Sequence, residues 1–164
     1  MERKMLTTNI RLPKLMMIGV MIMTLIALLL NPFVNAAEAS SHSSKEVTQV
    51  AKKLIGVKYK AGGKDAKGFD ASGFTQYVFE KSIKMKLART SKDQYKMGKS
   101  IQKKDIKEGD LLFFNTSGKG ISFVGIALGK DKFIAVSVSK GVSEQSLNTK
   151  YWKDRYVGAK RVLK

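Results

Sequence analysis

The chain has 164 residues, with 31 Lys plus Arg, 13 Asp plus Glu, a formal net charge of +18, one His and no Cys. Without Cys there are no disulfides, thiolate nucleophiles, thiolate metal sites or lipid-modified cysteines, and a single His excludes a multi-histidine metal centre. The chain is 43% hydrophobic, which is enough to bury a core, and its length predicts one domain after any targeting segment.

The N-terminus has the pattern of an export signal. Four basic residues lie within residues 1–14, an uncharged apolar run of 16 residues spans 15–30, and residues 34–36 (VNA) supply the small side chains of a cleavage site. This pattern predicts a signal peptide over residues 1–36. Retention as an N-terminal anchor is the alternative, although a membrane span needs about 20 apolar residues.

The excess of positive charge belongs to the part of the chain that would be exported. Residues 1–36 hold four basic residues and one acidic residue, so the remainder has 27 basic against 12 acidic residues, a net +15. Outside the membrane the polyanions are wall polymers and lipid headgroups, not nucleic acid. We therefore expect a secreted or cell-wall-associated protein, with membrane contact only through an uncleaved signal. The absence of disulfides favours an envelope of Gram-positive type.

The segment after the signal is predicted to be a linker followed by a helix. Residues 37–44 (AEASSHSS) are small and polar, which predicts a flexible linker with His42 exposed to solvent, so the domain is expected to span 45–164. From Glu46 to Ile55, apolar residues recur at helical spacing, and Gly56 ends the pattern.

Two further helices are predicted before the spacing of apolar residues changes from helical to strand-like. Residues 57–69 are rich in Gly and Lys and are predicted to be a loop. Asp70 is suited to cap a helix running to about Ser82. Ser91 with Gln94 has the spacing of a capping box, which predicts a second, short helix starting at Ser91.

The second half of the chain is predicted to form an antiparallel sheet. Its β-prone runs are separated by Gly, Asn, Asp and Ser, and they are Asp110–Phe114, Ser122–Leu128, Lys132–Val138 and Tyr156–Leu163. Helices followed by such a sheet predict an α+β fold. The expected core residues recur at buried spacing, and they are Phe74, Phe113, Phe114, Ile126 and Phe133.

Seven short blocks, in order, carry a resemblance to a known family. They are residues 56–63 (GVKYKAGG), 69–74 (FDASGF), 87–91 (LARTS), 109–114 (GDLLFF), 122–127 (SFVGIA), 133–135 (FIA), and 151–152 with 158–161 (YW and GAKR). Together they resemble the NlpC family of papain-like cell-wall endopeptidases, which includes the sixty-kilodalton extracellular proteins. The resemblance covers about residues 47–163 and implies a papain-like fold with N-terminal helices packed on a C-terminal sheet.

The same resemblance implies a chemistry that this chain lacks. In the family a Cys at the start of a helix attacks, a His on the first central strand activates it, and a polar residue on the next strand orients that His. The bond usually cut joins D-glutamate to diaminopimelate in a peptidoglycan stem peptide. Here the three positions are Ala71, Phe123 and Ala135, so the resemblance implies a degenerate member without a catalytic residue. Lys58 and Ala61 also depart from the family pattern at the cleft.

Five residues match family positions in or near the substrate groove, and they are Tyr59, Asp70, Ser72, Arg89 and Ser91. In relatives the Asp and Ser that flank the Cys help to recognise the polar end of the stem peptide. The resemblance therefore implies ligand binding at these positions. A structural role is the alternative for each of them: helix capping, packing or ordering of the loop.

These observations favour an exported pseudoenzyme that binds cell wall, through a stem peptide or an anionic polymer such as teichoic acid. A regulator that docks on an envelope hydrolase or another envelope protein is one alternative. A peptidase that uses a nucleophile other than Cys, such as Ser72, is another, although one step along a helix turns the side chain by about 100 degrees away from position 71. The sequence predicts no metal site and no cofactor.

Overall fold

Helix α1, Pro32–Lys53, includes the residues that were expected to form a linker. The computed structural model of the chain describes residues 32–163, so nearly all of the expected signal peptide lies outside the described residues. Residues 37–44 are helical rather than a flexible linker, because Ala is a strong helix former and His42 pairs one turn on with Glu46, Nδ1 to Oε1 3.2 Å. The side chain of His42 is 76% exposed, which confirms its expected solvation.

The C-terminal part of α1 belongs to the compact unit Glu38–Lys164 and packs through a narrow apolar stripe. Val47 and Ala51 are fully buried in the core. Gly56 has a φ of 90°, which lets the chain reverse after the helix. The backbone N–H of Gly56 then donates to the carbonyl of Val142, which attaches the following loop to the sheet.

Helix α2, Ala71–Ile83, forms where the sequence predicts it. Asp70 caps its N-terminus by accepting a hydrogen bond from the backbone N–H of Gly73 at 2.6 Å. Phe74, Val78 and Phe79 point into the core. The helix follows the small hairpin of β1, Lys64–Asp65, and β2, Gly68–Phe69.

The short helix α3, Ser91–Gln94, forms where the sequence predicts it, but its N-terminal cap lies one residue earlier than expected. The cap is Thr90, whose hydroxyl accepts from the backbone N–H of Asp93 at 3.1 Å and donates to the Asp93 carboxylate at 2.7 Å. The prediction of Ser91 as the cap is therefore wrong, because the adjacent hydroxyl makes the reciprocal contact. Ser91 is instead the first residue inside the helix and is buried.

Among the described residues, six strands form one antiparallel sheet in the order β3-β8-β4-β5-β6-β7. Their bounds are β3 Lys99–Ile101, β4 Leu111–Phe114, β5 Phe123–Ala127, β6 Lys132–Ser137, β7 Gly141–Ser146 and β8 Tyr156–Arg161. A 3-10 turn at Lys103–Asp105 links β3 to β4, and helix α4, Lys150–Arg155, precedes β8. The predicted α+β fold is confirmed.

Sequence reasoning missed β3, β7 and α4. It also expected a loop at residues 57–69, where β1 and β2 form a short hairpin that the buried Phe69 anchors. Strand β7 has the sequence GVSEQS, which lacks the apolar alternation of a half-buried strand, yet it pairs with β6 over six residues. Helix α4 is only six residues long and carries no side-chain cap. Such elements depend on their neighbours rather than on local propensity.

Both faces of the sheet are covered. Along β4, Leu111 and Phe113 pack against α2, while Leu112 and Phe114 pack into a second cluster with Trp152 on the other face. This explains the uninterrupted apolar run of that strand. The four phenylalanines and one isoleucine predicted to form the core are fully buried, which confirms that prediction. Between residues 32 and 163, no helix has both the length and the hydropathy of a membrane span.

Candidate functional site

The start of α2 is held in place by close backbone packing. Gly63, from the preceding loop, lies directly against Gly73, and a Cβ on Gly73 would come 2.1 Å from the Gly63 carbonyl oxygen. The same carbonyl accepts the backbone N–H of Asp70 at 3.0 Å. This contact requires Gly at position 73 and fixes the direction in which residues 70–72 present their side chains.

Asp70, Ser72 and Arg89 form a charged cluster at this helix start. The Arg89 Nη2 atom lies 2.6 Å from Asp70 Oδ2, while its Nη1 donates to Asp70 Oδ1 at 3.1 Å and to the Ser72 hydroxyl at 3.0 Å. The Ser72 hydroxyl donates in turn to Asp70 Oδ1 at 3.3 Å. The guanidinium therefore clamps the carboxylate from two sides.

These contacts set the protonation of the cluster. Burial alone would raise the pKa of Asp70, but the hydrogen bonds from Arg89 and from the Gly73 N–H, together with the charge of Arg89, lower that pKa below its usual value. The hydrogen bond to Asp70 raises the pKa of Arg89. At neutral pH the cluster is thus a carboxylate neutralised by a guanidinium.

A buried glutamine supports the cluster from behind. Gln94 is fully buried on α3, and its amide donates to the carbonyls of Ser72 and Ala88 at 3.1 and 2.8 Å. Its Oε1 accepts from the Thr75 hydroxyl at 2.8 Å. These bonds tie the segment that carries Arg89 to the first turn of α2. Sequence reasoning assigned Gln94 only to a capping box and missed this role, which depends on contacts across the fold.

Phe123 occupies the place where the family resemblance implies a histidine, and it is part of an aromatic cluster. Its ring centroid lies 5.1 Å from that of Trp152 and 6.1 Å from that of Phe114. Tyr151 extends the cluster towards solvent, 4.8 Å from Trp152. Phe123 is half-buried and carries no ionisable group, so no base faces the start of α2 from β5.

Ala135 lies on β6, in the apolar cluster against which Phe123 packs. Ala135 is 1% exposed. A Cβ added to Gly125 on the neighbouring strand would lie 3.1 Å from the Cβ of Ala135. The position that the resemblance gives to an orienting polar residue is therefore occupied by a small, tightly packed apolar one. Ala71 is half-buried at the first position of α2, with no nucleophilic atom.

One cavity of about 920 Å³ joins most of these positions. Its wall at the helix start is made of Ala71 and of four of the five residues matched to the family groove, which are Tyr59, Asp70, Ser72 and Ser91. Phe123 lines the cavity from the sheet. Of the other predicted site residues, Arg89 contacts this wall through Asp70 and Ser72, and Ala135 lies behind Phe123. We call this space the site cavity.

The remaining walls of the site cavity come from residues that sequence reasoning did not select. Val138 and Lys140 line it from the turn after β6, Gln145 from β7, and Tyr151 and Trp152 from α4. The Tyr151-Trp152 pair was visible as a motif block, but its position in the cavity depends on α4, which was not predicted. The Trp152 indole N–H donates to Gln145 Oε1 at 3.3 Å, which fixes this wall.

The side chains that line the site cavity supply hydroxyls, one carboxylate and aromatic rings, but neither a thiol nor an imidazole. These hydroxyls and aromatic rings are of the kinds that line ligand pockets. Ser72 is the hydroxyl nearest the position of the expected nucleophile, but its two side-chain partners are a permanently charged guanidinium and a carboxylate of lowered pKa. Neither is a good base at neutral pH. Within residues 32–163, no group of three or more His, Cys, Asp or Glu side chains is placed to hold a metal ion.

Comparison with known proteins finds relatives whose names refer to murein and peptidoglycan endopeptidases. Residues 56–161 match the model of the NlpC/P60 family. The chain is 42% identical over 108 residues to Escherichia coli "Murein DD-endopeptidase MepS/Murein LD-carboxypeptidase", covering 66% of this chain and 57% of that protein. It is 46% identical over 112 residues to Bacillus subtilis "Probable peptidoglycan endopeptidase LytE", covering 68% and 32%.

The structural comparison agrees. The crystal structure of an NlpC/P60 family protein from Bacillus cereus superposes with a TM-score of 0.69 at 31% identity, over 74% of this chain and 40% of that one. The chain thus spans just over half of one curated relative and about a third of the other. The family match over residues 56–161 includes helices α2 to α4, the strands of both sheets and the residues that line the site cavity.

Proposed function

The chain belongs to the NlpC/P60 family, and from that premise we propose that it is an exported pseudoenzyme that binds cell-wall peptidoglycan without cleaving it. The observation that carries the proposal is the replacement of nucleophile, base and orienter by Ala71, Phe123 and Ala135 around an otherwise well-formed cavity. Hydrolysis by the family's chemistry needs a thiolate and an imidazole. Binding needs neither.

The ligand of the site cavity is proposed to be a peptidoglycan stem peptide. Asp70, held by Arg89, offers a carboxylate to an ammonium group, and Ser91 and Tyr59 add polar atoms on the same wall. Phe123 and Trp152 supply an apolar surface opposite. The names of the relatives, which include murein and peptidoglycan endopeptidases, support a wall ligand for this chain. An anionic wall polymer is the second proposed ligand class, because of the net +15 of residues 37–164.

A hydrolase that uses Ser72 is disfavoured by the geometry. The Ser72 hydroxyl is saturated by Asp70 and Arg89, and the residue is 8% exposed. Attack would require breaking the clamp that also positions the helix start. Any turnover that disappears in Ser72→Ala would contradict the pseudoenzyme proposal.

The first test is a search for products. Purified residues 37–164 are incubated with peptidoglycan and with defined stem peptides, and released fragments are measured by mass spectrometry. We expect no new D-glutamyl end and no released diaminopimelate peptide, whereas Escherichia coli MepS acting on murein serves as the active control. Release of either product by this chain would overturn the proposal.

The second test measures binding to the wall. The same protein is sedimented with intact walls and with walls stripped of teichoic acid, across a salt series. Salt-resistant binding to stripped walls is expected if the site cavity holds the stem peptide. Loss of binding on stripping or at moderate salt would assign the interaction to charge. Absence of binding to both walls would overturn wall binding and favour a regulator that docks on an envelope protein.

A matched pair of variants locates the binding surface. Tyr59 lines the site cavity and is 38% exposed, while Ile55 is 50% exposed and lies outside its lining. We expect Tyr59→Ala to weaken binding to stripped walls about fivefold or more, because an aromatic contact is worth roughly 1 kcal/mol or more. Ile55→Ala should leave binding unchanged. Equal effects would show that the site cavity is not the binding surface.

A further inference from the structure

A second cavity, of about 490 Å³, lies beside the site cavity and has a different character. It is bounded by one face of α2, by the segment that returns from that helix and by the β1 hairpin. We call it the basic groove and define it by Lys64, Tyr77, Glu80, Lys81, Lys86 and Arg89. Arg89 belongs to both regions, since it lines the basic groove and clamps Asp70 in the site cavity.

The groove is built from fixed backbone. Helix α2 ends at Lys84, which has a φ of 59° and donates its N–H to the Glu80 carbonyl at 3.2 Å. This left-handed residue turns the chain back along the helix. The Gln76 amide donates to the Leu87 carbonyl at 2.9 Å and holds the returning segment against α2. The backbones of Lys86 and Arg89 are therefore positioned before any ligand arrives.

The charge of the groove is unbalanced. The Arg89 guanidinium is neutralised by Asp70. Within the described part of the chain, Lys64, Lys81 and Lys86 have no carboxylate within ion-pair distance, as ion pairs there involve other cations. Glu80 is the acidic residue that lines the groove. Three lysines against one glutamate leave an excess of two positive charges.

Glu80 lies in the wall of the groove with part of its carboxylate sealed off. Its Oε2 atom is buried without a hydrogen-bond partner in the described structure. A ligand in the groove does not reach this oxygen, because the atom is closed even to water. The groove therefore presents its three lysines to a ligand.

We propose that the basic groove binds a phosphodiester polymer with a polyol backbone, the chemistry of wall teichoic polymers. Phosphates of the polymer pair with the three lysines of the groove. A polymer strand can enter a concave groove, whereas the flat surface of a bilayer would contact only the rim of the groove. The inference rests on the proposed function for the location at the wall, and it assigns the polymer to a site other than the site cavity.

The test uses purified poly(glycerol phosphate) and residues 37–164, with binding measured by calorimetry across a salt series. The probe variant is Lys81→Gln with Lys86→Gln. The matched control is Lys130→Gln with Lys132→Gln, which removes the same charge from the exposed β5–β6 connection. We expect the probe variant to bind about tenfold more weakly. The slope of log binding constant against log salt concentration should fall in magnitude by about two, because two phosphate contacts are lost. The control should bind within about twofold of the unchanged protein.

The remaining outcomes separate the alternatives. Equal weakening by both pairs would overturn the proposal and assign binding to net charge. Binding to vesicles that contain phosphatidylglycerol, lost in the probe variant, with no binding to the polymer, would overturn it in favour of a membrane surface. Both pairs should bind walls stripped of teichoic acid as well as the unchanged protein does. That arm reports on the site cavity, so failure of the groove and failure of the proposed function remain distinguishable.

Discussion

Asp70 combines three structural tasks in one carboxylate. It caps α2 through the Gly73 N–H, it accepts the Ser72 hydroxyl, and it pairs with Arg89 at 2.6 Å. A ligand-binding role and a structural role were alternatives for this residue at the level of sequence. The structure makes the capping role explicit and places the same carboxylate on the wall of the site cavity, where the binding role is proposed.

The lowered pKa of Asp70 predicts how its contribution depends on pH. The folded pKa lies below the ordinary value of 3.8, so the stabilisation is fully present above that value and is lost as pH falls through the folded pKa. We expect Asp70→Ala to lower the free energy of unfolding by about 1 to 2 kcal/mol at pH 7. The difference should shrink below about pH 4. Denaturant titrations at several pH values measure it.

The outcome has a clear control. Asp154 forms an exposed pair with Lys150, and substituting it by Ala should change stability little at any pH. A difference between Asp70→Ala and the unchanged protein that persists undiminished at pH 2.5 would contradict the assignment to the ionised carboxylate.

Tyr156 is a polar residue whose hydroxyl is buried without a hydrogen-bond partner in the described structure. Burial, with smaller contributions from Tyr95 and Asp110, raises its pKa to about 12. The unfolded chain ionises near pH 10, so the folded state loses stability as pH rises from about 10 to 12. We expect Tyr156→Phe to be as stable as the unchanged protein at pH 7, or up to about 1 kcal/mol more stable.

Measurements at alkaline pH test whether the Tyr156 hydroxyl causes the loss of stability. Thermal unfolding between pH 9 and 12 should show a smaller loss of stability for Tyr156→Phe than for the unchanged protein. Tyr151→Phe, at a side chain that is 49% exposed, should behave like the unchanged protein. A loss of stability at pH 7 in Tyr156→Phe would show that the hydroxyl has a partner in solution.

At the level of elements, α2 and α3 are joined by a polar contact inside an apolar region. Gln94 from α3 bonds to Thr75, Ser72 and Ala88, and no part of its side chain is exposed. The short helix has only four residues, so its stability comes from this junction rather than from its own hydrogen bonds. The junction in turn holds Arg89 and Ser91 against the site cavity.

Replacing Gln94 should therefore disrupt several hydrogen bonds at once and lower the free energy of unfolding. We expect Gln94→Leu to cost about 2 to 4 kcal/mol, because it leaves buried carbonyl and hydroxyl groups without their partner. Gln76→Leu, which loses one bond to Leu87 at a half-buried position, should cost about 1 kcal/mol. Hydrogen exchange should also rise across residues 88–94 in the first variant. Equal costs for the two variants would contradict the role of Gln94 as a junction.

At the scale of the whole molecule, the departures from the family pattern extend beyond the three substituted positions. Phe123 packs on Trp152, and Ala135 is sealed in the cluster behind it. The neighbours of Phe123 and Ala135 fill the space around these two apolar side chains, as is usual in close-packed protein interiors. Lys58 and Ala61, in the loop that precedes β1, also differ from the family pattern.

We expect the triple variant Ala71→Cys, Phe123→His and Ala135→His to remain without turnover. An imidazole at position 135 has no free space and no polar partner there, which costs about 1 to 3 kcal/mol. Ala71→Cys alone should fold normally, because that position is half-buried at the cavity wall. Product analysis and thermal unfolding check both statements. Full turnover by the triple variant would show that the rest of the cleft is competent.

Local chemistry allowed the sequence to predict much of the fold. Asp70 marks the start of α2 because a carboxylate satisfies free N–H groups at a helix start wherever it occurs. The apolar run at 111–114 and the alternation after Ser122 predict strands for an equally local reason. The order of the motif blocks indicated the family, and the family in turn indicated Ala71 and Phe123 as altered positions. None of these steps needs contacts between distant segments.

The tertiary structure decided what lies around those positions. Gln94 supports Ser72, Trp152 packs on Phe123, and Lys64 joins Lys86 in the basic groove, although each pair is far apart in sequence. Strand order and helix packing set such contacts, and no local propensity encodes them. The sequence thus determined which catalytic residue types of the family are absent from this chain. Only the fold determined that a lined cavity and a second, cationic groove remain.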